Sequence, residues 1–340
     1  MVTVYDISKI TGYSPSTVAR VINGSGMVSD ETKERILAAA EITGFKQKSK
    51  EKDAASHANK LIGIIVENES FTNGLEHPLF GGILNCFREQ AEKNGFDLMY
   101  LSKRLNSKMN SYIDLCKLRN IDGILILNSI YEDPEIQKLA ASGIPCVSSN
   151  EFIPGICTVV SENTAAAKKA VQYLLEKGHK KIGYIGGPFQ IKSPASIERC
   201  EGYKQALKSA GIKMQPSWVE KAEYWELDAG IKAAEKLFTD NPDLTAVFCA
   251  SDTIAAGAMQ YLQKQGRRIP DDVSIIGFDD SLISACCVPP ITTFRQDREK
   301  IAVTCAGKLI DAINGNQGYE IVRIPVQFIE RESVADISKR

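Results

Sequence analysis

An α/β fold preceded by a small helical headpiece is predicted by three observations. Residues 3–44 carry three short helical periods, each with its own start and stop signals. Residues 45–60 read FKQKSKEKDAASHANK, polar and almost free of large apolar side chains, as a linker would be. From Leu61 onward, short apolar runs alternate with helical stretches, the pattern of βαβ units and parallel sheets.

The first helix is expected over residues 4–11. Thr3 is placed to cap it, with Asp6 three positions on as in a capping box, and Val4, Ile7 and Ile10 supply its apolar stripe. Gly12 ends it. Ser14 then caps a second helix with Pro15 at its first position, where the missing N–H costs nothing, and Val18, Val21 and Ile22 form the buried stripe. Ser29 is expected to cap a third helix over 30–43, with Asp30 and Glu31 in its first turn and Ile36, Leu37, Ala40 and Ile42 facing inward. Two short helices separated by a tight break match a helix-turn-helix unit, whose second helix would read DNA. That helix shows Pro15, Ser16, Thr17 and Arg20 outward. Arg20 suits a base edge or a phosphate, and the hydroxyls of Ser14 and Thr17 suit phosphates. Pattern alone also allows a helical cap on a larger domain.

The residues themselves separate these readings. Thr3-Val4-Tyr5-Asp6-Ile7-Ser8-Lys9, the run from Gly12 to Gly24 (GYSPSTVARVING), and Val28-Ser29-Asp30-Glu31-Thr32-Lys33-Glu34-Arg35-Ile36 closely resemble the headpiece of the lactose/purine repressor family. The resemblance runs on to the C-terminus. It implies a dimeric bacterial transcription regulator with a two-lobed, periplasmic-binding-protein-like effector domain. It implies base reading by Pro15, Ser16 and Arg20, and backbone contacts by Thr3, Tyr5, Ser14, Thr17 and Asn23. Ala19 stands where the family usually has Ser.

The expected organisation is a headpiece at 1–46, a hinge or linker at 47–60, and an effector domain at 61–340. The connector departs from the family, whose short hinge helix inserts an apolar side chain into the minor groove. Lys52 keeps the positive charge, but Ala54 occupies the Leu position, and Ala is a poor wedge. Groove bending by this segment is expected to be weak or absent. Equal, strong operator bending by the wild type and an Ala54→Leu variant would contradict that.

In the effector domain, Leu61–Val66 is a continuous apolar run suited to a central strand. Helices are expected over 79–94, 108–119 and 134–142, with strands at 96–101, 123–127 and 145–149. A second series places helices at 163–177, 197–210, 228–238, 252–265 and 297–313, strands at 181–186, 245–249 and 273–278, and final strands within 320–332. The resemblance implies exchanges between lobes near 160, 291 and 321, with one lobe at about 61–160 and 292–320 and the other at 161–291 and 321–340.

Ligands of such sheets sit beyond the carboxyl ends of strands. Candidate effector residues on those loops are Phe80, Asn150, Arg199, Trp225, Asp252, Asp279 and Gln296. Spacing alone leaves alternatives open: Phe80 and Trp225 as lobe core, Asp252 as a helix cap, Arg199 as a surface ion-pair residue. The resemblance implies effector contacts by Phe80, Arg199, Trp225 and Asp279. Asn150 and Glu151 stand where the family often has Asp and Arg, so the polar contacts of the first lobe are not the usual ones.

Other classes fit less well. Net charge is -1, with +2 in residues 1–60, so no strong positive field marks nucleic acid binding. The chain shows no secretory signal and no long apolar run, so a cytoplasmic, nucleoid-associated protein is expected, with neither membrane contact nor cofactor. Nine Cys form no CxxC pair, and the three His lack metal-ligand spacing, which favours buried thiols. Glu67-Asn68-Glu69-Ser70 after the first strand is not a phosphate-binding loop, and no catalytic triad order is supported, so an enzyme is not expected. The expected partners are operator DNA, a small effector such as a sugar or related metabolite, and a second copy of the chain. The alternatives are an operator-binding regulator without effector response, or a cytoplasmic solute-binding protein.

Overall fold

The computed structural model describes residues 3–22, 28–43, 60–66, 78–102, 111–129, 133–188, 193–316 and 318–338. The chain divides into two compact units, residues 1–58 and 59–340.

In the first unit, α1 (Val4–Thr11), α2 (Pro15–Ile22) and α3 (Asp30–Ile42) pack around Ile7, Val18, Ile36 and Ala39. The capping box at α1 forms as expected: Thr3 Oγ1 accepts from the Asp6 N–H, and Asp6 Oδ2 accepts from the Thr3 N–H at 2.8 Å. These hydrogen bonds hold the Asp6 carboxyl below its ordinary value. Gly12 closes α1 with φ 73°, and the Ser8 hydroxyl donates to the Tyr13 carbonyl across the turn. Three expectations fail. Ser29 makes no side-chain cap bond to α3; its hydroxyl pairs with that of Thr32 instead. The buried face of α3 runs through Ile36, Ala39 and Ala40, spaced i, i+3, i+4, so Leu37 and Ile42 stand 53% and 85% exposed. Ile10 is exposed as well. A unit this small covers only about one large side chain per helix, and the turn geometry, not apolarity, chooses which.

The second unit holds two lobes. In the first, β1 (Leu61–Val66), β2 (Asp97–Tyr100), β3 (Gly123–Asn128), β4 (Cys146–Ser149), β5 (Cys157–Ser161) and β11 (Ile321–Ile324) form a parallel sheet in the order β11-β5-β4-β3-β1-β2. The helices α4 (Pro78–Lys93) and α12 (Arg298–Ile313) cover one face; α5 (Tyr112–Arg119) and α6 (Pro134–Ala140) cover the other. Strand β3 shows why its sequence is apolar throughout. Leu125 and Leu127 enter one core, while Ile124 and Ile126 enter the other.

In the second lobe, β6 (Ile182–Gly186), β7 (Val219–Lys221), β8 (Ala246–Cys249) and β9 (Ser274–Ile276) are parallel in the order β7-β6-β8-β9. Around them pack α7 (Asn163–Glu176), α8 (Pro194–Ser209), α9 (Leu227–Asp240), α10 (Asp252–Lys264) and the short α11 (Leu282–Cys286). Helices α7 and α8 approach closely because Gly202 lacks a Cβ, which would stand 2.4 Å from the Thr164 carbonyl oxygen.

Three segments cross between lobes. The first runs from β5 into α7. The second follows β10 (Thr293–Arg295), which leans on the second lobe through bridges Ile276–Thr292 and Asp279–Arg295. The third runs from β11 to β12 (Gln327–Ile329), which pairs antiparallel with β10. Residues 321–324 thus lie in the first sheet, paired with β5, and the exchanges fall after 161, 295 and 324. The strand β10 is three residues long, too short to show as an apolar period, while β12 falls within the expected final strands. Beyond β12 the chain returns to the second sheet, where the Ser333 hydroxyl donates to the Ile275 carbonyl and accepts from the Thr292 N–H.

Candidate functional site

The DNA-reading candidates gather at the start of α2. The Ser14 hydroxyl accepts from the Thr17 N–H at 3.2 Å and lies 2.8 Å from the Ser16 hydroxyl and 2.9 Å from that of Thr17. Three hydroxyls therefore surround the positive end of this helix, with Pro15 at its first position. Arg20 is exposed one turn beyond Ser16, opposite the buried Val18. Tyr5 stands exposed on α1, and Thr3 is exposed but already engaged with Asp6. This face offers hydrogen-bond donors and one cation on a rigid helix. Asn23, Lys52 and Ala54 lie outside the described residues.

In the second unit, Arg199 is the centre of a buried polar chain. It is 3% exposed. Its Nε donates to Asn163 Oδ1 at 2.9 Å and its Nη1 to the Ala250 carbonyl at 2.5 Å. Nη1 also lies 3.8 Å from Asp279 Oδ1. Burial pulls the guanidinium's pKa down and Asp279 pushes it back; a guanidinium keeps its charge in either case. Asp279 leaves β9 with φ 122°, accepts from Gln296 Nε2 at 2.6 Å, and is pushed up to about 6 by burial, with Arg199 opposing. Gln296 in turn accepts from the Ser161 hydroxyl at 2.6 Å. The chain Arg199–Asp279–Gln296–Ser161 thus ties the second lobe to the first and second crossings. Gln296 and Arg298 also line a cavity of about 580 Å³ beside α4 and the third crossing.

The other candidates separate. Asp252 is fully buried. Its Oδ2 accepts from the N–H and hydroxyl of Ser281, and its Oδ1 from the Thr293 hydroxyl. It does not cap α10: Ser251 does, accepting from the Ile254 N–H. Burial, then the charge of Asp279, pushes Asp252 up to about 7. Asp252 is therefore an internal fastener of the second lobe. Phe80 is fully buried in the first-lobe core, the alternative its apolar character had left open. Trp225 is nearly buried over Gly187, where a Cβ would stand 2.3 Å from the indole. Asn150 follows β4 with φ 78°, half-buried, its N–H donating to the Val159 carbonyl. The structure brings Arg199, Asp279 and Gln296 together, while Phe80 and Asp252 belong to the lobe interiors. Asn163, Ser161 and Thr293 were missed by sequence reasoning. Their one available signal was position, at a strand end or helix start next to a crossing.

A helix-turn-helix unit joined to two parallel-sheet lobes, with a buried polar cluster where the lobes connect, defines a DNA-binding regulator with a ligand-sensing domain. Residues 3–47 match the model for bacterial regulatory proteins of the lacI family. Residues 59–332 match the model for periplasmic binding proteins and the sugar binding domain of the LacI family. The repressor PurR of Haemophilus influenzae is 30% identical over 345 residues, 99% of this chain and 100% of that protein. The repressor CytR of Escherichia coli is 32% identical over 317 residues, 92% and 90% of the two chains. The transcriptional regulator CelR in its cellobiose complex superposes with a TM-score of 0.71 at 28% identity, covering 98% of this chain and 100% of that one. The lac repressor dimer bound to operator and an anti-inducer shares the fold, with a TM-score of 0.70 at 23% identity over 98% and 99% of the chains.

The chain belongs to the LacI family of bacterial transcriptional regulators. It is a DNA-binding transcriptional repressor with an effector-binding domain. Its partners are operator DNA and a small-molecule effector. No helix among the described residues is long and apolar enough to cross a membrane.

Proposed function

We propose that residues 1–46 read the operator, 47–60 connect, and 61–340 sense the effector. Pro15, Ser16 and Arg20 meet base edges in the major groove. Thr3, Tyr5, Ser14, Thr17 and Asn23 hold the phosphate backbone. Two headpieces of a dimer then occupy successive major grooves of a near-palindromic site. The connector, with Lys52 and Ala54, lies along the DNA without a strong wedge. The effector enters between the lobes and meets Arg199, Trp225, Asp279, Asn150 and Gln296. It favours one lobe angle over another by a few kcal/mol, enough to change operator occupancy.

One observation carries this reading: the cation of Arg199 and the carboxylate of Asp279 are buried side by side at the junction of the lobes. A neutral polyhydroxylated or heterocyclic metabolite offers both donors and acceptors to such a pair. CelR carries cellobiose, and another relative is named a ribose operon repressor, so sugars fall within this chemical range. Titration calorimetry of the full chain with purine bases, nucleosides, pentoses and disaccharides tests the sensing half. Heat from one class, abolished in Asp279→Asn, is the expected result; silence across the panel contradicts the assignment. For the DNA half, Arg20→Ala should weaken specific operator binding by about tenfold or more, as loss of a base contact does. Unchanged specific binding would remove α2 as the reading helix.

A further inference from the structure

Glu198 and Arg199 are neighbours on α8, so their side chains leave the helix about 100° apart. Arg199 turns inward to Ala250 and Asp279. Glu198 turns toward β11, where its carboxylate takes both terminal nitrogens of Arg323, at 2.6 and 3.1 Å. Strand β11 belongs to the first sheet and α8 to the second lobe, so this two-pronged ion pair spans the lobes. Glu198 is largely sheltered, at 13% side-chain exposure, and Arg323 is at 36%. Bidentate geometry and partial burial put the pair above an ordinary surface ion pair.

Asn163 links the two neighbours. It is fully buried at the start of α7. Its Oδ1 accepts from Arg199 Nε at 2.9 Å, and its Nδ2 donates to Glu198 Oε2 at 3.2 Å. Only one orientation of the amide works. Turned over, its NH2 would face a guanidinium and its oxygen a carboxylate. The close approach of α7 to α8 that Gly202 permits puts Asn163 within reach of both.

We infer that Asn163, Glu198 and Arg323 form an interlobe strut, which holds the lobe angle and carries any displacement of Arg199 to the first sheet. Asn163 and Glu198 are positioning residues for the effector-binding cation. The inference rests on the reading of Arg199 as an effector contact. An effector that draws Arg199 away from Asn163 shifts the amide, which loosens the grip of Glu198 on Arg323. No side chain of the strut need touch the effector.

Hydrogen exchange of the full chain, with no ligand added, tests the strut. In Glu198→Gln and Arg323→Gln, amides at the three crossings (161–163, 295–298, and 324, 326 and 327) should exchange about tenfold faster, the scale of one lost charge-assisted hydrogen bond. Amides of β6 and β8 should be unchanged. The exchanged pair E198R/R323E should recover most of the protection. The fold-changes of Asn163→Ala and Arg323→Gln should not multiply in the double variant, since both act on one linkage. Unchanged crossings, a uniform rise that includes β6 and β8, failure of the exchanged pair to recover, or multiplying fold-changes would each overturn the strut. Because no effector enters, an error in the effector role of Arg199 shows in the calorimetry alone.

Discussion

The guanidinium carbon of Arg199 lies 3.6 Å from the centroid of the Phe278 ring, so the cation is stacked from one side while Asn163, Ala250 and Asp279 hold its edge. Stacking and forked donation are properties of arginine that lysine lacks. Removing the side chain would leave a buried carboxylate and two acceptors without their donor. Arg199→Ala should therefore lower stability by about 3–5 kcal/mol. Arg199→Lys should recover only part of it. Urea unfolding of the effector domain, followed by tryptophan fluorescence, measures both; equal stability of all three proteins would contradict the arrangement.

Acidity gives a second prediction. Asp252 and Asp279 both titrate above the ordinary carboxylate value, at about 7 and about 6, because both are buried and Asp279 repels the charge on Asp252. The folded chain therefore binds more protons than the unfolded one above about pH 4, and their contribution to stability falls as pH rises from there to about 7. Below that range both states are protonated, and these groups add no slope. Urea midpoints at pH 5, 6, 7 and 8 should decline, and Asp252→Asn should flatten the decline.

Gly202 sets the spacing of α7 and α8. In Gly202→Ala the new methyl would stand 2.4 Å from a backbone oxygen and 2.7 Å from the Ala167 Cβ, neither of which can swing aside. A loss of about 1–3 kcal/mol or more is expected from such overpacking. Faster exchange at the first crossing should accompany it, since Asn163 heads the helix that must retreat.

The headpiece has little reserve. Its interior is Ile7, Val18, Ile36 and Ala39, and small units bury a small fraction of their surface. Val18→Ala should cost the headpiece about 2 kcal/mol. In calorimetric scans of the full chain, its transition should fall while that of residues 59–340 stays fixed. Specific operator binding should fall with it.

Much of this architecture was legible from local rules. The capping box at Thr3, the turn at Gly12, Pro15 at a helix start and the apolar run of β1 each have a signature that needs no partner. The ends of α1, and the starts of α6, α7 and α10, fell on the expected residues. What stayed hidden depends on distant parts of the chain. The short strands β7 and β10 exist because of their neighbours, not their own pattern. Asp252 offered two readings by spacing and took a third, bound to Ser281 and Thr293, residues 29 and 41 positions away. Asn163 is one of many asparagines until the fold sets it between Arg199 and Glu198. Arg199, Asp279 and Gln296 of the polar cluster were named one by one from the sequence, and their wiring comes only from packing.

The pairing of β11 with β5 has a consequence for biosynthesis. About half the chain separates these partners, and all four strands of the second sheet are translated between them. As the first lobe leaves the ribosome, one edge of its sheet stays open, waiting for a strand that is made almost last. An open strand edge is a template for wrong pairing. Truncation before residue 321 should therefore damage the first lobe, which is otherwise complete, and lead to aggregation rather than to a shortened repressor. Late translation makes the fold's own closing strand a check that the message was read nearly to its end.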